Sequence, residues 1–413
     1  MAAQSKSDPG AMMTSMHTND RVLISGGGPV GLVSALILAR AGIPVSVFEA
    51  ESEPVEDLRA STFHPPTLDM LDELGLAQRL IDNGLIARKW QIRDRKTGPV
   101  ATYDMSILKD ETGHPYRVQC EQWKLVNFAL EDLEKLDNVD VQFSHRVSGV
   151  DQTDDGVTIA VDGPDGTETH SGRYLIGADG AGSVVRQALG IGFDGFTYEE
   201  LFLSVSTPFE LADHFENLTY INYISDPDEW LVLLRVKGLW RVLFPVPPEI
   251  DRDKALSDGF IEDRMQALLP QPEPYEIAHR TLYRIHQRVA ETYRVGNAFL
   301  AGDAAHINNP LGGMGLNGGL HDAINLAERM AKVWHGGDPD LLDQYERQRR
   351  PMAIEYVKEA TMRNQRLMNE SDPAKREEAL AEVRETADDP EKAYAAMMRA
   401  SMISAVRRAA SIP

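Results

Sequence analysis

Gly26, Gly28 and Gly31 stand at G-x-G-x-x-G spacing, directly after the apolar run Val22-Leu-Ile-Ser25 and ahead of a second apolar stretch. In that context the first glycine makes a tight turn, the second lets a pyrophosphate approach the backbone, and the third lets a helix pack closely on a strand. Pro29 and Val30 then open the helix, whose first N–H groups are unpaired and face an anion. Glu49 closes the next apolar run. A carboxylate there accepts from ribose hydroxyls and disfavours a 2′-phosphate in the same pocket. A second set lies far along the chain. Gly302 and Asp303 follow Ala298-Phe-Leu-Ala301, and Pro310, Gly313, Gly315, Leu316 and Asn317 follow them. An aspartate at a strand end suits a sugar-alcohol hydroxyl. A glycine cluster before a helix presents N–H groups to negative charge on a flavin-type ring. A third set, Gly177-Ala-Asp179-Gly180 with Arg186, offers a loop-holding acid and a cation. An enzyme binding only a nicotinamide nucleotide needs the first set alone. A flavoprotein whose chain closes back over its cofactor uses the later sets too.

Other chemistries find no residues. The eleven histidines form no H-x-x-x-H pair or Cys/His cluster, so no metal site is expected. No G-x-S-x-G elbow is present. Cys120 is the only cysteine, which excludes an intrachain disulfide. A net charge of -22 argues against nucleic-acid partners. No apolar run reaches the roughly 18 residues of a membrane span, and no basic amphipathic helix appears. The first residues are polar and Met-rich with no signal-type apolar region, so a cytoplasmic place is expected.

The elements that must position these residues begin as βαβ: a strand at 21–25, a helix over 30–41 and a strand at 45–49. Helices are expected over 65–82 and from Trp123 to Leu136. Strands are expected at Val139–Phe143, Val157–Val161 and His170–Leu175. From about 196 to 285 the segments turn aromatic and β-branched, as in Leu218–Ile224, Trp230–Val236 and Leu239–Val246. That texture predicts an antiparallel sheet with one solvated or ligand-facing side. A helix follows from Asn317 to Met330, and the last stretch is helix-favouring. The fold expected is α/β. A Rossmann-like, discontinuous FAD-binding domain (21–90, 119–195, 290–340) carries an inserted, mainly antiparallel β-sheet substrate domain (91–118, 196–289). A disordered tail (1–20) precedes it, and a helical C-terminal segment (341–413) either covers the pocket or packs between subunits.

Together the three sets resemble, in order and spacing, those of the class A flavin-dependent aromatic hydroxylases, the family of 4-hydroxybenzoate and 3-(3-hydroxyphenyl)propionate hydroxylases. The resemblance implies FAD as cofactor and NADH or NADPH as co-substrate. It implies that reduced flavin takes up O2 as a C4a-hydroperoxide and passes one oxygen to a phenol or other electron-rich ring. It adds Arg59 and Gln122 as residues near the flavin, and gives Asp179 and Arg186 a share in FAD and NAD(P)H binding. A homodimer is one arrangement open to it. An FAD oxidoreductase of the same fold that inserts no oxygen, and a non-catalytic flavin- or aromatic-binding protein, are the alternatives.

For the small aromatic substrate, Tyr220 falls near the family's phenol-contacting tyrosine, and Tyr223 competes for that role. Arg235 or Arg241, on neighbouring strands, would hold a substrate carboxylate. The family's serine–arginine pattern for such a carboxylate is not evident, which counts against simple 4-hydroxybenzoate. His306 is either a neutral packed histidine or an acid or base, and Tyr283, His286 and Arg288 stay unassigned. Asp303→Ala is expected to lower the flavin content of the purified protein. Full occupancy with unchanged affinity would remove Asp303 from the cofactor site.

Overall fold

The computed structural model describes residues 20–56, 60–368 and 370–413, and gives only the backbone for 356–368. The tail expected over residues 1–20 therefore lies, but for its last residue, outside the described residues.

A six-stranded sheet forms the centre, in the order Arg294–Val295, Ala298–Leu300, Tyr174–Gly177, Val22–Ser25, Val45–Phe48, Val139–Gln142. All its pairs are parallel except the first, which is antiparallel. Val22–Ser25, Val45–Phe48 and Tyr174–Gly177 are buried throughout, because helices and a second layer cover both faces. The helix Pro29–Arg40 returns the chain from the first strand to the second. The helix Met314–Trp334 packs beside it. The register aligns Ser25 with Gly177, and Gly177 with Leu300. Three segments distant in sequence thus end side by side at the carboxyl edge of the sheet, where open α/β sheets bind ligands. Cys120 is fully buried in this core, where desolvation pushes its thiol up to about 12.

Two sequence-predicted elements divide. The helix expected over 65–82 is two, Pro65–Glu73 and Ala77–Asn83. The strand expected at His170–Leu175 splits at Arg173. Gly166–Gly172 pairs in a hairpin with Gly156–Gly163, and Tyr174–Gly177 enters the central sheet.

The second large sheet has eight strands, in the order His306–Ile307, His279–Ala290, Phe193–Thr207, Leu239–Val246, Leu231–Val236, Ile221–Ser225, Lys89–Asp94, Gly98–Asp104. It is antiparallel except where Ile221–Ser225 runs parallel to Lys89–Asp94. Its two faces follow the strand period of two. Leu231, Leu233, Val242 and Phe244 pack against Ile261 and Met265 of the helix Asp258–Leu268. Val232, Leu243, Phe202 and Ile285 form a separate cluster on the opposite face.

The C-terminal helices Pro373–Asp388 and Pro390–Ala400 each start on proline. Asp372 and Asp389 cap them by accepting from the first free N–H groups. Met397, Met398 and Ile403 pack on Trp90 and Tyr103, whose rings stack 4.3 Å apart. Arg376 pairs with the Asp94 carboxylate, and Arg117 donates to the Ala400 carbonyl at 3.0 Å. The segment therefore covers the outer strands of the second sheet within its own chain. Met397→Asp puts a carboxylate into this seam. The expected cost is about 3 kcal/mol, seen as a lower denaturation midpoint with a red shift of tryptophan emission. An unchanged midpoint would show that the seam carries no packing energy.

Candidate active site

A cavity of about 350 Å³ lies between the two large sheets. That volume is within the usual range for small-molecule sites. One side is Gly28, Pro29, Val30, Gln122, Ala178 and Gly180. The glycine-rich loop adds Pro310, Gly312, Gly313, Gly315 and Leu316, with Asp303 beside it. The other side is Tyr223, Val232, Leu234, Leu243 and Tyr283 of the eight-stranded sheet. The segment Ala60–Thr62 lies among them.

The first turn divides its glycines by task. Gly26 has φ +106, and a Cβ there would meet the Ala178 carbonyl oxygen at 2.3 Å. A Cβ on Gly31 would lie 2.0 Å from the Gly26 oxygen, so only glycine lets the helix sit this close. Gly28 faces open space inside the cavity. Glu49 accepts the Gly27 N–H at 2.6 Å and the Glu51 N–H at 2.9 Å, which fixes its carboxylate beside the turn. Asp179 accepts from the Val185 N–H with Oδ2. Its Oδ1 is sheltered and has no partner among the described residues.

The Gly312–Gly315 loop is held from behind by neutral groups. His64 Nε2 lies 2.8 Å from the Gly312 carbonyl. Burial, helped by Arg117 and His321, holds its pKa well below the ordinary value. A carbonyl only accepts, so the neutral ring carries its hydrogen on Nε2. Asn317 donates to the Thr62 and Gly313 carbonyls at 2.8 and 2.6 Å, and its Oδ1 accepts the His64 N–H at 2.8 Å. Beneath it, burial and Arg349 lower His321 to about 3, and its Nε2 meets the Thr67 hydroxyl.

A buried ionic knot holds the Gly302 turn. Asp322 accepts from His306 Nε2 at 2.8 Å, Arg349 Nε at 2.7 Å and the Gly302 N–H at 3.2 Å. Burial alone would raise its pKa. His306 and Arg349 outweigh that and bring it to about 2. His306 is buried and does not line the cavity, so it is packed behind the site and not placed as an acid or base within it. It is a partner of a buried carboxylate.

Several expected residues stand elsewhere. Tyr220 is 41% exposed on a surface turn and does not line the cavity, whereas Tyr223 does. Tyr220 stands in the bend just before the strand Ile221–Ser225, whereas Tyr223 lies within the strand. Arg235 pairs with Glu210 at 2.7 Å, lies over the Trp240 ring, and is away from the cavity. Arg186 is buried. Its guanidinium donates to the Ala304 and Ala181 carbonyls at 2.9 and 2.8 Å and lies over the Phe193 ring, so it ties two loops together. Asn317 is spent on the clamp just described. Arg59 lies outside the described residues. Ser61, Thr62 and Asn308 of the lining, and His64 behind it, carry no motif that marks them in the sequence. Val232 and Leu234 are also unassigned there, although their alternation in Trp230–Val236 is visible.

The chain matches the FAD binding domain family model over residues 19–360. It is 38% identical over 371 residues to para-nitrophenol 4-monooxygenase of Pseudomonas sp. (strain WBC-3), covering 87% of this chain and 90% of that one. It is 36% identical over 348 residues to 6-hydroxy-3-succinoylpyridine 3-monooxygenase of Pseudomonas putida, covering 83% and 87%. The crystal structure of p-nitrophenol 4-monooxygenase from Pseudomonas putida DLL-E4 superposes with TM-score 0.87 at 34% identity, over 92% of this chain and 97% of that one. The chain belongs to the FAD-dependent aromatic hydroxylases. It is a monooxygenase of aromatic substrates, with NAD(P)H as co-substrate. No helix among the described residues is long and apolar enough to cross a membrane.

Asp322 has a depressed pKa, so its stabilising pairs are fully present above about pH 4 and are lost as pH falls towards 2. Asp322→Asn is expected to cost about 3–5 kcal/mol by leaving Arg349 buried and uncompensated, and to flatten the acid limb between pH 4 and 2. Denaturant midpoints across that range check both; an unchanged acid limb would remove Asp322 from the stability balance.

Proposed function

We propose that this enzyme hydroxylates a small phenol carrying no carboxylate, at the ring carbon para to the hydroxyl. The observation that carries this reading is the cavity lining. It runs without a break from the glycine turns to an aliphatic and aromatic patch, and among the described residues its one charged side chain is Asp303. Of the two arginines expected to bind a carboxylate, Arg235 is paired with Glu210, and Arg241 donates to Ser61 from behind the lining instead of standing in it. The para position follows from the similarity to para-nitrophenol 4-monooxygenase, an enzyme named for a phenol without a carboxylate.

The residues fit FAD. Gly28 and the start of the helix Pro29–Arg40 would take the pyrophosphate. Glu49 retains lone pairs for a ribose hydroxyl beyond the two N–H groups it accepts. Asp303 would take a ribitol hydroxyl, and Gln122 would lie beside the ring system. The N–H groups of Gly313, Gly315 and Leu316 would face the flavin, where the helix start favours negative charge. Bound FAD supplies oxygen activation with electrons from NAD(P)H. The chain's own part is to hold the phenol against that ring and keep water out, which Val232, Leu234, Leu243 and Leu311 do by lining the patch.

The test is NADH and NADPH oxidation by the FAD-loaded enzyme under 18O2, with 4-nitrophenol, 4-chlorophenol and 4-hydroxybenzoate. Stimulation of about tenfold or more by the first two, with one labelled oxygen in the ring product, is expected. Stimulation and labelled product only from 4-hydroxybenzoate would overturn the reading.

A further inference from the structure

Ser61 lines the cavity and is itself almost wholly buried. Behind it stands Arg241, 2% exposed, whose Nη1 donates to Ser61 Oγ at 2.9 Å. Its Nη2 lies 3.5 Å from Ser204 Oγ. Arg241 sits on the strand Leu239–Val246, two residues from Leu243 and in register with Leu234. Both leucines line the cavity. The strand period therefore turns Arg241 to the cavity side of the sheet, one hydroxyl back from the space itself.

A serine hydroxyl has one hydrogen to give and two lone pairs to accept with. The guanidinium takes a lone pair. The hydrogen is left for a group in the cavity, and a cation bonded to the same oxygen makes that hydrogen a stronger donor. A ring hydroxyl lying against it would lose its proton more easily, because its anion gains a charge-assisted donor with a buried cation behind it. Loss of that proton enriches the ring at the para carbon. Tyr223 and Tyr283 line the same space, but a phenol donor carries no such charge.

We propose that Ser61 receives the ring oxygen of the substrate as its anion, and that Arg241 is the positioning residue that orients and polarises Ser61. The proposal rests on the phenol reading above.

The probe is 4-nitrophenol bound to the FAD-loaded enzyme, because its anion absorbs visible light and its neutral form does not. Absorbance across pH reports the ionisation of the bound probe without turnover. In the native enzyme the bound probe is expected to ionise about one pH unit or more below the free compound, a tenfold change in proton affinity. In Ser61→Ala that shift is expected to vanish with flavin content unchanged, while Ser61→Thr keeps it. Arg241→Met is expected to lose most of it, and where that variant fails to fold, the two serine variants decide. A native shift that survives Ser61→Ala overturns the proposal, as does a bound probe that ionises at the free value. Either result leaves the phenol reading standing. Absence of probe binding, with no phenol stimulating NAD(P)H oxidation, overturns both.

Discussion

The arrangement of the site depends on one buried carboxylate. Asp322, on the helix Met314–Trp334, accepts from His306, Arg349 and the Gly302 N–H at once. Those partners come from the strand-end turn, the short strand His306–Ile307 and the helix Asp340–Met368. A single charge thereby fixes where the returning chain meets the first glycine turn. The arrangement is demanding: a buried ion is tolerated only while every partner is in place. Tyr345 reinforces it by donating to the Leu300 carbonyl at the end of the adjacent strand. The position of Asp303, the next residue along the turn, follows from this knot.

The second constraint is geometric. The eight-stranded sheet serves two purposes because alternate residues face opposite ways. Leu231, Leu233 and Val242 complete a packed core with the helix Asp258–Leu268, while Val232, Leu234 and Leu243 line the cavity. A shift of one residue in register would exchange the two sets. The antiparallel ladder joining Phe193–Thr207 to both neighbours holds that register over most of its length.

The sequence made the cofactor side legible because backbone geometry dictates it. Gly26 and Gly31 leave no room for a Cβ, as their spacing requires, Gly28 lines the cavity, and the order of the three motifs sufficed to place them at one sheet edge. The substrate side was less legible. Tyr220 and Arg235 have the right chemistry, but a choice between Tyr220 and Tyr223 needs the register of the strand, and no local signal fixes that. Arg186 and Asn317 carry a different lesson. A polar residue inside a binding motif can spend its donors on carbonyls of the same loops, and spacing alone does not reveal how those donors are used. The polar support from His64 and Ser61 lay in a stretch with no recognisable pattern.

The lone thiol has a bearing on how such an enzyme ages. Oxygen chemistry near a flavin exposes a protein to its own oxidant whenever turnover fails to couple to product. Oxidation of cysteine proceeds through the thiolate, and Cys120 is both fully buried and held protonated far above neutral pH. It is therefore a poor target. The sulfur chemistry open to an oxidant is then that of the thioethers of its 15 methionines. Met314 opens the helix that follows the glycine loop and packs beside Gly312, so a sulfoxide there would disturb the support of that loop. Thiol reductants have no purchase on that lesion; its repair belongs to sulfoxide reductases.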